Sequence, residues 1–249
     1  LKKKQISKLL LKTEPNVVIH FGSSNPSYHE LRKKKDFYKK NFQETKNLID
    51  SLLLKKNKVK FIFANSSQII ADKNIKKKVN EKSKFTKNNS YTKFRLNILK
   101  YLKKRKNSDF KFLNLILFNH DSKFRNSKFL IPRIVKYVKK RDVISLRKIY
   151  DQNISGDFSH AEDICYAIYL LSIKDLDIDN LILSSGKKTK INDVIKFLVK
   201  LSGLNYRFLT PKKSNSMVCG DAKLAKKILK WKVKKNIYIA SKEIYKSVS

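Results

Sequence analysis

Glycine and proline are scarce in this chain, with 5 Gly and 4 Pro in 249 residues. No G-x-x-G-x-x-G stretch occurs, so the turn that seats a pyrophosphate on a helix N-terminus is not among these residues. Cys165 and Cys219 are too few and too far apart for a disulfide framework or a zinc site, so no metal is expected and a reducing cytoplasm is. No apolar run approaches the roughly 18 residues of a membrane-crossing helix. The basic start is followed by no apolar signal region or small-residue cleavage site, and neither membrane nor secretion is expected. Acidic residues are few, 20 Asp and Glu against 59 Lys and Arg, for a formal charge of +39. The cations are overwhelmingly Lys and run from end to end, as lysine filling solvated faces would. A dedicated nucleic-acid protein should concentrate charge on one element, preferably as Arg for bidentate phosphate contacts. We therefore expect weak, salt-sensitive attraction to polyanions and no specific nucleic-acid partner.

What is present alternates between strands and helices. A helix over Ile6–Lys12 stops at Pro15, and Asn16–Ser24 reads as a buried strand running into Gly22. Apolar spacing predicts a helix over Asp36–Lys56. Lys60–Ala64 is a strand that ends in Asn65, Ser66, Ser67 and Gln68, and a polar linker, Ala71–Asn89, leads to a helix opening at Ser90 and Tyr91. Leu113–Phe118 is a second apolar strand, with Asn119, His120, Asp121 and Ser122 at its carboxyl end, where open α/β sheets bind ligands. Spacing alone allows a ligand edge or an ordinary surface loop there. Beyond it we expect a helix over Lys128–Lys140, a strand over Val143–Ile149 and a helix within Gly156–Leu171. A short strand over Leu181–Ser185 follows, then a helix capped by Thr189 and stopped at Gly203. Ser159 and Asp163 suit helix capping and first-turn charge. The class is α/β: a Rossmann-like parallel sheet without its N-terminal glycine-rich βαβ unit, and a smaller C-terminal α/β domain. The boundary falls near residues 118 and 119, with returns to the first part over about 156–185. The first residue, Leu1, lies inside an expected helix, as it would in a piece of a longer chain.

LFNHDS with Arg125 resembles the LFNHES-P-R-R-G segment of GDP-mannose 4,6-dehydratases, extended short-chain dehydrogenase/reductases that act on nucleotide sugars. Other stretches resemble that family in order. His20–Pro26 lies where it has N-L-A/G-A-Q-S-H, with Pro26 in place of the His. Asn41, Thr45, Asn47 and Leu48 match its N-x-x-G-T-x-N-L-L helix, with Glu44 at the Gly. Ser66 and Gln68 fall on its catalytic Thr and Glu, and Tyr91 and Arg95 on its Y-x-x-x-K. Asp157, His160, Ala161 and Asp163 match R-D-W-G-H-A-K-D, and Gly220–Trp231 resembles G-D-x-x-K-A-K-x-x-L-G-W. Pro211–Ser216 departs from the nucleotide-contacting R-P-x-E-V-D.

The resemblance implies a Rossmann-like nucleotide-sugar enzyme, GDP-mannose as substrate and NADP as cofactor. It also implies a homo-oligomer joined through helices like the one Tyr91 opens. Phe21, Gly22, Ser23, Ser24, Asn25, Arg95, His120 and Arg125 would bind the cofactor, and Asn119 and Ser66 the sugar nucleotide. Tyr91 would take the C4 proton of the hexose, because a nearby cation such as Arg95 moves a phenol from near 10 toward working pH. Gln68 is the chemical departure: an amide cannot act as a base near neutral pH, and the C5 proton needs one. The same residues therefore also fit a weakened paralogue that binds nucleotide sugar without completing the dehydration, or another epimerase or dehydratase.

Overall fold

The computed structural model describes residues 3–22, 37–55, 57–71, 77–206 and 215–248. The chain divides into two compact units. One comprises Leu1–Ala71, Ser83–Leu117 and Lys174–Leu181, and the other Asp72–Lys82, Phe118–Ile173 and Ile182–Ser249.

The first unit starts with α1 (Lys3–Thr13), β1 (Val17–His20), α2 (Phe37–Leu53) and β2 (Val59–Ser66). A 3₁₀ turn, Ser67–Ile69, leads on to α3 (Ser90–Lys103) and β3 (Phe110–Leu117). Strands β1, β2 and β3 pair in parallel, Val17 beside Lys60 and Phe61 beside Phe112. The sheet order is β1-β2-β3-β6, where β6 is Asn180–Leu183. Both faces of β2 and β3 are buried, which explains their unbroken apolar runs. Phe61, Phe63, Ile49, Leu52, Ile98 and Leu102 form a sealed core, each such side chain stabilising by about 1.5–3 kcal/mol. Helix α3 begins where Asn89 accepts from Thr92 N and Thr92 Oγ1 accepts from Asn89 N, a reciprocal capping box. β1 differs from the buried strand expected over Asn16–Ser24. It is four residues long and lies at the edge of the sheet, and only His20 is buried in it.

The second unit holds β4 (Asn119–Asp121), α4 (Leu130–Lys139), α5 (Val143–Tyr150), β5 (Ile154–His160) and α6 (Ala161–Ile173). After these come β7 (Lys188–Lys190), α7 (Ile191–Leu201), β8 (Asn215–Ser216), α8 (Lys223–Leu229) and α9 (Ile237–Ser247). β5 is central: β4 and β8 pair with it in parallel and β7 antiparallel. Ile131, Ile134, Leu146, Val194, Ile195 and Ile237 are among the residues that close the core between the helices. Pro132 sits in the first turn of α4, where its missing N–H would have had no helical partner.

Two expectations fail here for identifiable reasons. Val143–Ile149 is helix, not strand: Asp142 accepts from Ser145 N at 3.0 Å, and Leu146, Ile149 and Tyr150 then share one buried face. Thr189 does not cap α7. It pairs with Gly156 in β7, and Lys190 holds the cap position without a side-chain hydrogen bond. The polar cluster after Phe118 opens with a short strand, β4, its His120 beside Ser159, and Ser122 follows it. Gly203, with φ +68°, does end α7 as expected. Among the described residues, no helix is long and apolar enough to cross a membrane, and no group of three His, Cys, Asp or Glu could hold a metal.

Candidate active site

In the first unit, strand ends and one helix start bring four of the expected residues into one neighbourhood. Ser66 closes β2, and its hydroxyl accepts from Gln68 N at 3.3 Å, capping the turn against which α3 packs. That bond uses a lone pair and leaves the hydroxyl proton to donate. Tyr91 and Arg95 lie one turn apart on the buried face of α3. The Arg95 guanidinium donates to the Ala64 carbonyl and lies 5.0 Å from the centre of the Tyr91 ring. It also covers Phe63. The cation is therefore present, but it is braced on the backbone of β2 and spread over aromatic faces. Gln68 is exposed.

His20 was not singled out for chemistry by its sequence context, yet it belongs to this cluster. Burial, then the nearby Arg95 charge, pushes its pKa down to about 4, so it is neutral near pH 7. Its ring leans on Phe61 and Phe63, and among the described residues Nδ1 meets no hydrogen-bond partner. Phe21 is exposed, and at Gly22 a Cβ would meet only His20 Nε2, at 3.7 Å. Ser23, Ser24, Asn25 and Pro26, and Pro211 to Ser214 of the divergent stretch, lie outside the described residues.

A second unforeseen feature supports Ser66. Asn65 Nδ2 donates to Asn114 Oδ1, and Asn114 Nδ2 donates to Asn180 Oδ1, both at 2.8 Å. Asn65 Oδ1 accepts from Ser66 N at 2.8 Å. An amide chain thus crosses β2, β3 and β6 and ends on the backbone of Ser66. The signal was two asparagines inside otherwise apolar strands, because a buried amide must find partners.

In the second unit the remaining expected residues are tied to their own surroundings. His120 Nδ1 donates to the Phe118 carbonyl at 2.8 Å, which fixes the tautomer and leaves Nε2 an acceptor. Burial lowers its pKa, so the ring stays neutral. Arg125 pairs with Asp121 at 3.6 Å and stacks 3.7 Å from the centre of the Phe129 ring. Burial raises the Asp121 carboxyl to about 6 against the pull of Arg125. Asn119 is exposed, and its Nδ2 donates to Asp157 O at 3.1 Å. Asp157 is a structural hub, accepting from Ser185 N, Ser185 Oγ, Gly186 N and Gly220 N. His160 accepts from Glu162 N through Nδ1 and donates to Glu243 through Nε2. Asp163 Oδ2 accepts from Lys234 N and Lys235 N, anchoring the turn after α8.

The sequence model of the NAD dependent epimerase/dehydratase family matches residues 1–182. The chain belongs to that family. Among solved structures, RMD from Pseudomonas aeruginosa complexed with NADPH is similar at a TM-score of 0.82 and 17% identity, over 99% of this chain and 85% of that one. UDP-glucose 4-epimerase from Thermotoga maritima, with UDP-glucose, is similar at 0.80 and 16%, over 99% and 81%. UDP-glucuronic acid 4-epimerase from Bacillus cereus, in complex with NAD, is similar at 0.79 and 17%, over 97% and 76%. At these identities the likeness establishes the Rossmann-like α/β fold. No curated protein sequence matches.

Proposed function

We propose that this family member acts on a nucleotide sugar with a nicotinamide cofactor, in the manner of a GDP-mannose 4,6-dehydratase using NADP. In this reading it keeps the apparatus for oxidising C4 and lacks the base for the later elimination. Residues 1–118 would serve the cofactor. Residues 119–249, with returns over about 156–185, would serve the sugar nucleotide. A cytoplasmic homo-oligomer joined through α3 belongs to the same reading.

The observation that carries it is the first-unit cluster of a phenol, a guanidinium 5.0 Å from its ring and a strand-end hydroxyl. A nicotinamide suits the edge beside them, where among the described residues the buried His20 Nδ1 has an unmet hydrogen bond and a Cβ at Gly22 would meet only the His20 ring. Held beside His20 and Gly22, a nicotinamide would supply a hydride acceptor for C4. Ser66 orients the C4 hydroxyl by donating to its oxygen. Tyr91 is the group placed to take the hydroxyl proton, with the Arg95 guanidinium 5.0 Å from its ring centre. His20, kept neutral, adds no repulsion to a positively charged ring. Asn119, His120 and Arg125 are assigned to sugar and cofactor by resemblance. Of these, His120 keeps Nε2 as an acceptor, since Nδ1 donates to the Phe118 carbonyl.

Elimination across C5 and C6 needs a base where Gln68 stands, and the amide supplies none. The test is incubation of the protein with GDP-mannose and NADP⁺, following cofactor absorbance and the 4-keto-6-deoxy sugar. Reduction of cofactor with little elimination is expected. Gln68→Glu should raise elimination by about 10²–10⁴. No change in either signal, from folded protein that binds both ligands, overturns the catalytic reading.

A second reading, a nucleotide-sugar binder without turnover, draws on Arg95 being braced against Ala64. Calorimetry with GDP and NADP⁺ separates the two: binding without cofactor reduction supports it, and binding of neither rejects both.

A further inference from the structure

A groove of about 850 Å³ opens in the second unit between α6 and the segment from α8 to Lys235. None of the residues assigned above to chemistry lines it. Its rim carries seven lysines, among them Lys226, Lys227, Lys230, Lys232 and Lys234, and its floor includes Trp231. Two carboxylates also line it, and both are already engaged. Glu162 pairs with Lys235 at 2.5 Å, and Asp163 accepts from two backbone N–H groups. Among the described residues those five lysines make no ion pair, so the groove presents uncompensated charge. Trp231 donates its indole N–H to Asp163 O at 2.9 Å and is almost fully buried, which makes the floor rigid.

The groove wall continues into an aromatic feature. Tyr166 lines it and is 52% exposed, and its ring stacks on that of Tyr169, which is 57% exposed, with centres 6.4 Å apart. Two large aromatic faces left in water beside a row of cations are what a single nucleic-acid strand uses. Phosphates follow the cations, and bases stack on rings without regard to sequence. A bilayer surface would not fill a concave groove, and an acidic peptide gains nothing from the stacked tyrosines. Lysine ammonium groups are point charges that track a backbone and do not read base edges.

We propose that this groove binds single-stranded nucleic acid without sequence preference. The strand's phosphates run along Lys226, Lys227, Lys230, Lys232 and Lys234, and a base stacks on Tyr166. Seven of the chain's 59 lysines and arginines thus line one concave site. This stands independently of the sugar chemistry.

The experiment measures anisotropy of a fluorescent 12-nucleotide oligo(U) with the whole protein at 50 to 200 mM salt. Five phosphate contacts predict a loss of affinity of about 100-fold over that range. Lys226→Glu/Lys227→Glu/Lys230→Glu should weaken binding by about tenfold or more. A control with the same charge change in the other unit, Lys12→Glu/Lys39→Glu/Lys40→Glu, should cost under about threefold. Tyr166→Leu, which keeps all charge, should cost about tenfold. Equal losses in the two charge variants mean net charge alone acts, and overturn the proposal. So does an unaffected Tyr166→Leu variant. Groove-dependent binding to phosphatidylserine vesicles that exceeds binding to oligo(U) also overturns it, in favour of a membrane surface. Circular dichroism of each variant confirms that it folds before its affinity is read.

Discussion

Two polar clusters, one in each unit, differ in how completely they satisfy themselves. Around Asp157 every strong acceptor position is used: four N–H and O–H groups converge on it, and the Cys219 thiol, its pKa pushed up to about 12 mainly by burial, lies at 3.4 Å. Around His20 and Ser66 the inventory does not close. Among the described residues His20 Nδ1 is buried without a partner, and the Ser66 hydroxyl has a proton to give. A satisfied buried network holds a fold together, whereas unmet capacity at a strand end is costly and persists where a ligand completes it. The difference separates the matching motif residues into those that brace, such as Asp157 and His160, and those that could react.

The largest break in this contrast should come from Asp157→Ala. Four donors would be stranded in the interior, at about 1–3 kcal/mol each with some relaxation, for a loss of about 5 kcal/mol in urea unfolding. An unchanged midpoint would remove Asp157 from its bracing role.

Titration sharpens the comparison, because His20 and Asp121 act in opposite directions. An unfolded histidine takes up a proton near 6.5, but His20 resists until about 4, so its contribution is full above 6.5 and is lost as pH falls to 4. Folded Asp121 keeps its proton to about 6 where the unfolded carboxyl loses it near 3.8. Its contribution is full below about 4 and is lost as pH rises to 6. Each is worth at most about 3 kcal/mol. Stability of His20→Gln, measured from pH 7 down to 4.5, should therefore fall less with acid than the parent's. That of Asp121→Asn should fall more. Parallel curves would contradict both assignments.

The smallest effect concerns backbone alone. Arg141 ends α4 at φ +54°, a conformation that favours glycine. Arg141→Gly should raise stability by about 0.5–1 kcal/mol, read as a small rise in Tm.

Much of the fold was readable because periodicity and burial agree. The apolar runs of β2 and β3 and the stripe Phe94, Ile98, Leu99 and Leu102 on α3 became the elements their spacing predicts. Val143–Ile149 misled because β-branched residues say less than a cap, and Asp142 decided the matter through Ser145. Asn119 to Asp121 could be placed at the carboxyl end of a strand but not recognised as a strand of their own, because three residues carry too little pattern to register. For the candidate site, the residues on β2 and α3 were reached through the family resemblance. His20 and Asn114 were not, since their roles depend on strands that meet only in the folded sheet.

The Asn65–Asn114–Asn180 chain has a consequence for how the sheet assembles. β2 and β3 are apolar on both faces, so greasy contact alone would accept several alignments of one against the other. The interior amides find one another in a single alignment, and sliding either strand would leave carboxamides stranded in hydrocarbon. Three side chains thereby act as a registration pin, and the strand end that presents Ser66 inherits its position from them.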